Sequence, residues 1–293
     1  MVKVDNAIIM AAGTSSRFAP LSYELPKALI TVKGEVLIER QIKQLKVAGI
    51  KQIVVVTGYK AEKFAYLAEK FGVVLVHNPD YLTRNNNSSI NAVRGYLHNS
   101  YVCSADNYFV SNPFEAEVND SYYAAEYSDA YTKEWCLTED AAGYIDSVKI
   151  GSSQAWYMIG HTFWNSDFSQ KFLAIMDSIY DRPATADLLW EDIYIQHLDV
   201  LKMKIRKYPP QTILEFDTLD ELRQFDRSYV VDTRSTILKA IARKLSISES
   251  EIVKIKTLKS VTNEAIGFTF LVKQTGRQYQ YLYGTQELTV TGD

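Results

Sequence analysis

Short β-branched runs alternate with amphipathic segments over the first hundred residues. Ala7-Ile8-Ile9-Met10 and Ile53-Val54-Val55-Val56 are apolar throughout, which predicts strands buried on both faces. Between them, residues 35–48 carry Leu37, Ile38, Ile42 and Leu45 at helical spacing and close at Gly49. A helix over 60–70, a strand at Val73-Val74-Leu75-Val76, helical periodicity near 88–97 and a strand over 101–105 continue the alternation. Continuous apolar strands separated by helices specify a mostly parallel, Rossmann-like doubly wound α/β sheet. Such sheets take their ligands at the carboxyl ends of the strands.

From about 122 to 165 the pattern becomes that of antiparallel strands rich in Tyr and Trp. Helices are predicted near 169–181, 187–198 and 218–227, with a strand at 202–208. A change of composition then places a domain boundary near 228. Residues 1–228 form the main domain and 229–293 a small α+β appendage, with a basic amphipathic helix at 234–245. Residues 258–286 read as two strands joined by Gln274-Thr275-Gly276-Arg277.

The composition narrows the chemistry. A net charge of −3 over 293 residues gives no broad positive field for nucleic acid. Cys103 and Cys136 are too few for a disulfide framework or a four-cysteine zinc site, and the four histidines show no metal-ligand spacing. No apolar run is long enough for a signal peptide core or a membrane span, so a cytoplasmic setting is expected.

The strongest chemical signal follows the first strand: Ala11-Ala12-Gly13-Thr14-Ser15-Ser16-Arg17-Phe18-Ala19-Pro20, then Leu25-Pro26-Lys27-Ala28-Leu29. Small residues after a buried strand offer backbone N–H groups to an anion and let a triphosphate approach closely. Arg17 suits bidentate contact with phosphate oxygens and Lys27 supplies a point charge. Either cation alone reads as a solvated surface residue; the whole constellation at this place in the sheet favours phosphate binding. It is neither a Walker A loop nor a G-x-G-x-x-G loop.

These residues resemble the signature of the nucleotidyltransferases that activate sugar phosphates and phosphocholine. More closely, the chain resembles the bacterial CTP:phosphocholine cytidylyltransferases of the LicC type. The likeness rests on the segments above with Leu37-Ile38-Glu39-Arg40-Gln41-Ile42, Asn85-Asn86, Ala105-Asp106-Asn107-Tyr108, Glu134-Trp135 and residues 215–217, so it spans almost all of 1–227. It implies the fold of the nucleotide-diphospho-sugar transferases, CTP and phosphocholine as substrates, and Mg²⁺ as cofactor. Arg17 and Lys27 are the catalytic cations it implies. Ser15 departs from the glycine of many relatives.

Mg²⁺ typically needs one or two protein carboxylates beside substrate phosphates. The resemblance implies that Asp106 and Asp217 supply them. Read alone, Asp106 is equally a turn residue and Asp217 equally an N-cap for the helix after it. The run Asn85-Asn86-Asn87-Ser88-Ser89 offers amides and hydroxyls, with Asn86, Ser88 and Ser89 the candidates for nucleotide contact; such runs also serve turns and caps. A trimethylammonium group is held by aromatic faces and carboxylates. Trp135 and Trp190, with Glu191 and Asp192, match the segments around the choline head group in these enzymes, although core packing is the commoner fate of any one Trp. Trp156, Tyr157 and Tyr194 are weaker candidates.

Residues 258–264, 268–272 and 279–284 resemble the opening strands of choline kinases. The stretch holds no kinase catalytic loop, so kinase activity is not expected of it. Exposed strand edges in such a half-domain favour packing onto the transferase or onto another copy, giving a homo-oligomer. Other acceptors compatible with the loop are 2-aminoethylphosphonate, phosphoethanolamine and a sugar 1-phosphate. A catalytically silent nucleotide-binding regulator is the reading from another class.

Overall fold

A computed structural model describes residues 1–261 and 264–291. Thr262 and Asn263, part of the kinase-like stretch, lie outside the described residues. The chain divides into two compact units, Met1–Gly13 with Leu37–Glu215, and Thr14–Val36 with Phe216–Asp293.

In the first unit, β1 (Asn6–Ala11), β2 (Gln52–Thr57), β3 (Val74–His77) and β4 (Ser100–Ser104) pair in parallel in the order β3-β2-β1-β4. Ala7, Ile8, Ile9, Val54, Val55 and Val56 are fully buried, as unbroken apolar strands require. The helices between them are α1 (Leu37–Val47), α2 (Tyr66–Phe71) and α3 (Asn87–Ala92). Strand order reverses between β1 and β4, so the crevice outside their carboxyl ends is the expected ligand site of this sheet. Ala12-Gly13 leaves β1 there, and Asp106 follows β4.

The aromatic-rich region extends the sheet with antiparallel strands β5 (Tyr122–Ser128), β6 (Thr132–Glu139), β7 (Ile145–Ser152) and β8 (Ala155–Trp164). β8 pairs with β4, β5 and β6, β6 pairs with β7, and β9 (Lys204–Tyr208) joins β5 in parallel. The helices α4 (Ser166–Ile179) and α5 (Trp190–Ile195) follow β8. Phe168, Phe172 and Met176 of α4 pack with Trp164 of β8 and Trp190 of α5 in one core.

The second unit contains α6 (Leu219–Phe225) and α7 (Thr236–Leu245). Its antiparallel sheet runs β10 (Ile252–Lys259), β11 (Ala265–Val272), β12 (Gln278–Leu282) and β13 (Leu288–Val290) in chain order. The pattern over 258–286 captures the β11–β12 hairpin but not the eight-residue strand before it, although its sequence alternates, nor the three-residue strand after it, which is too short to show a period. Residues 14–36 group with 216–293 through contacts distant in sequence, which a division at 228 drawn from composition does not register. Among the described residues no helix is long and apolar enough to cross a membrane.

Candidate functional site

The signature loop is a chain of single turns. Ser15 is left-handed, with φ 47° and ψ 42°, and leads into the 3₁₀ turn Ser16–Phe18, where Phe18 N donates to the Ser15 carbonyl at 3.0 Å. This is the backbone conformation that glycine adopts without cost and that a serine adopts only at a small one. Phe18 is buried and anchors the turn, while the Arg17 side chain is 74% exposed. Pro26 precedes a second turn, Lys27–Leu29, and here the lysine is buried at 4% exposure. Arg17 Nη1 lies 2.5 Å from Asp217 Oδ2, and Lys27 Nζ lies 3.7 Å from Asp217 Oδ1. Three of the residues named from sequence thus form one cluster.

The capping alternative for Asp217 is settled by its neighbours. Thr218 is the N-cap of α6: its hydroxyl accepts from Glu221 N, and Glu221 Oε2 accepts from Thr218 N and Asp217 N. That capping box leaves the Asp217 carboxylate turned to the two cations.

In the first unit, Ala11 and Ala12 are buried, Gly13 is exposed, and the Ala12 carbonyl accepts from Tyr59 N at 3.0 Å. Gly58 makes that approach feasible, since a Cβ there would sit 2.8 Å from the Ala12 oxygen. Thr14, the next residue of the loop, opens the second unit. Asp106 occupies the turn between β4 and the short strand Asn107–Phe109, and its Oδ1 accepts from Ser104 Oγ at 2.7 Å. Beside it, Asn107 is 1% exposed and neither atom of its amide has a hydrogen-bond partner. Among the described residues no three His, Cys, Asp or Glu side chains are grouped to hold a metal.

The asparagine–serine run is a hub between two segments. Asn85 N donates to the Ala186 carbonyl, Asn85 Nδ2 to Asp187, and Asn87 Nδ2 to the carbonyls of Thr185 and Leu188. The hydroxyls of Ser88 and Ser89 both accept from Asn78 Nδ2 and are buried, which gives them a packing duty at the start of α3. Asn86 faces elsewhere. Its Oδ1 accepts from Trp190 N at 2.7 Å and its Nδ2 donates to Glu191 Oε2 at 3.0 Å.

Those last contacts border a cavity of about 280 Å³. Trp135, Trp190, Tyr123 and Met158 line it, with Glu134, Glu191 and Glu215. Trp190 stacks on Tyr123 with centroids 5.8 Å apart and meets Trp164 edge-on at 5.0 Å, so this indole serves core and cavity wall together. Burial pushes the Glu191 carboxyl up to about 7, although Asn86 and the Tyr123 hydroxyl donate to it. His161 also borders the cavity, and burial pushes it down to about 3, so it adds no positive charge near neutrality. Aromatic faces beside acidic side chains are the chemistry that can hold an organic cation.

Asp192, named from sequence with Glu191, does not line the cavity. Its Oδ2 accepts from Leu189 N at 2.8 Å and closes the first turn of α5. None of Trp156, Tyr157 and Tyr194 lines the cavity: Trp156 packs edge-on against Tyr127, the Tyr157 hydroxyl donates to Glu126, and Tyr194 is fully buried. Sequence reading missed Tyr123 and Met158, which reach the cavity from the interior faces of β5 and β8. The first five residues of β5 are all buried, so its pattern does not single out Tyr123 as lining a void.

In the first unit, Ala12-Gly13 leaves β1 at the switch point of a doubly wound sheet, the place where nucleotide-binding folds of this class take their ligands. Residues 7–134 match the MobA-like NTP transferase domain. The chain is 34% identical over 220 residues to the choline-phosphate cytidylyltransferase of Streptococcus pneumoniae, covering 75% of this chain and 96% of that one. It is 36% identical over 235 residues to the 2-aminoethylphosphonate cytidylyltransferase of Lancefieldella rimae, covering 78% and 95%. The solved CTP:phosphocholine cytidylyltransferase from Streptococcus pneumoniae superimposes with a TM-score of 0.73 at 33% identity, over 78% of this chain and 99% of that one. The chain therefore belongs to the cytidylyltransferases of this nucleotidyltransferase family, and it is an enzyme.

Proposed function

We propose that the protein transfers CMP from CTP to phosphocholine, giving CDP-choline and pyrophosphate. The observation that carries the choice of acceptor is the cavity in which Trp135, Trp190 and Tyr123 stand with Glu134, Glu191 and Glu215. A quaternary ammonium has no N–H to donate and is held by π faces and negative charge.

No side-chain nucleophile is required. A phosphate oxygen of phosphocholine attacks the α-phosphorus of CTP, the bond to the β-phosphate oxygen breaks, and pyrophosphate leaves. Arg17 and Lys27 counter the charge on the phosphates, and the backbone of Ala11–Ser16 lies against them. Asp106 and Asp217 each offer a hard carboxylate oxygen of the kind Mg²⁺ takes, and Mg²⁺ needs only one or two such ligands from the protein. When bound, Mg²⁺ would neutralise phosphate charge during the displacement. A cytoplasmic, bacterial setting and self-association through 229–293 belong to the same reading; gel filtration at the monomer mass would remove the latter.

The similarity to the 2-aminoethylphosphonate enzyme favours a second acceptor of the same size. Three carboxylates suit a primary ammonium with three donors. Pyrophosphate release with CTP and Mg²⁺, measured for phosphocholine, 2-aminoethylphosphonate, phosphoethanolamine and glucose 1-phosphate, decides between them. Preference for phosphocholine is expected; preference for glucose 1-phosphate, or CTP binding without release, would overturn the proposal.

A further inference from the structure

The aligned stretch of the Streptococcus pneumoniae relative accounts for 96% of that protein but for 75% of this one. About a quarter of this chain thus has no counterpart there. Within the second unit, residues 229–293 are fastened to the signature loop at points on both sides of its cations. The Thr257 hydroxyl of β10 donates to the Ser16 carbonyl, the residue before Arg17. Tyr283 stacks on Tyr23 with centroids 3.6 Å apart and planes 7° from parallel. The carboxylate of Glu24 accepts from Thr236 N, Ile237 N and the Thr236 hydroxyl at the start of α7. Beyond Lys27, the Thr31 carbonyl accepts from the Tyr229 hydroxyl and from Arg234.

Residues 14–36 hold no regular element longer than the four-residue turn Leu21–Glu24. Such a segment keeps one shape only where outside contacts offset its conformational entropy. Arg17 and Lys27 are carried on two of its turns, and the tail's contacts at Ser16, Tyr23, Glu24 and Thr31 bracket both of them, while Asp217 and Asp226 hold the same segment from outside the tail. We infer that the C-terminal segment is a positioning element for the phosphate loop, with Thr257 and Tyr283 as positioning residues for the nucleotide. The inference rests on the cytidylyl-transfer reading for its kinetic consequence but not for its structural one.

Single substitutions test it, because deleting 229–293 would remove core shared with α6. Thr257→Val, Tyr283→Ala and the conservative Tyr283→Phe are compared with the parent by hydrogen exchange and by steady-state kinetics. In Thr257→Val and Tyr283→Ala, amides within 15–30 should exchange about tenfold faster, with exchange in β1–β4 unchanged. The KM for CTP should rise about five- to tenfold while the KM for the acceptor stays within about twofold. Tyr283→Phe, which keeps the ring, should restore both. Unchanged exchange at 15–30 in both variants overturns the inference, as does faster exchange with an unchanged KM for CTP. If the parent releases no pyrophosphate with any acceptor, the proposed function falls instead. The exchange rates, with the shift in melting temperature that CTP produces, then decide the positioning role alone.

Discussion

The cation cluster and the aromatic cavity are built by opposite means. Arg17, Lys27 and Asp217 come from tight turns and the foot of a short helix, and Arg17 projects 74% exposed. The cavity walls come from β1, β4, β5, β6, β8, α5 and their connections, and Trp190 is 1% exposed. Phosphate charge can be met by a few long cationic side chains reaching outward. A head group without hydrogen-bond donors on its nitrogen can be recognised only by surfaces, so its site must be walled by regular elements. Damage to the cluster should therefore lower turnover, whereas damage to the cavity should raise the KM for the acceptor.

The largest effect is expected at Lys27. Lys27→Met keeps much of the buried volume and removes the charge, and turnover should fall by about 10²–10³. Arg17→Ala should cost about 10² in turnover with stability within about 0.5 kcal/mol, because that side chain is exposed. Pyrophosphate release and thermal unfolding measured on the same preparations check both. A normal turnover in Lys27→Met would end the assignment.

Trp135→Ala tests the cavity. Loss of one cation–π wall of about 2 kcal/mol corresponds to a rise of about 10- to 30-fold in the KM for phosphocholine. The KM for CTP should not change. With 2-aminoethylphosphonate the loss should be smaller, since carboxylates carry more of the binding of a primary amine. Equal losses for both acceptors would show that the indole fills space rather than recognising the methyl groups.

What sequence made legible follows the same division. The buried strands β1, β2 and β4 and the loop cations are visible because their local patterns mark them, whereas Trp135 stands out only through the resemblance to the choline enzymes. Asp217 could not be separated from an N-cap, because Thr218, one residue on, offers the same capping oxygen and only geometry shows which is used. Asp192 looked like a cavity acid because its neighbour Glu191 is one; one residue along a helix turns the side chain by roughly 100°, away from that wall. Asn86, Ser88 and Ser89 are close in sequence, yet Asn86 alone among them lines the cavity. The fastening of 14–36 to residues about two hundred or more positions away leaves no local trace at all.

Glu191 sharpens the account of the cavity through pH. Its carboxyl is held up at about 7 by burial, above the ordinary value for glutamate. The folded state therefore holds this proton where the unfolded chain has released it. This contribution to stability is full below the unfolded pKa and is lost as pH rises through about 7. Binding runs the other way, since the ionised form attracts the cation. The KM for the acceptor should fall several-fold between about pH 6 and 8. Glu191→Gln should flatten that profile at the higher KM, and should make the protein relatively more stable above pH 7 than the parent. An unchanged pH profile in the variant would assign the titration to another group.

Asp192 is the smallest and most discriminating case, since it adjoins Glu191 on the same turn. Its oxygen accepts from Leu189 N and fixes the start of α5, the helix that carries Trp190. Asp192→Ala removes that acceptor and should destabilise the fold by about 1 kcal/mol. Asp192→Asn retains an acceptor oxygen and should recover most of the loss. Because this carboxylate does not line the cavity, both variants should keep the parent's KM for the acceptor above about pH 8. The midpoint of the pH profile should move to lower pH, since the neighbouring Asp192 carboxylate is one of the influences that raise Glu191. If Asp192→Asn instead preserved stability while raising the KM for the acceptor, the negative charge itself would be acting on the bound cation. The cavity would then draw on a fourth carboxylate held beyond its walls.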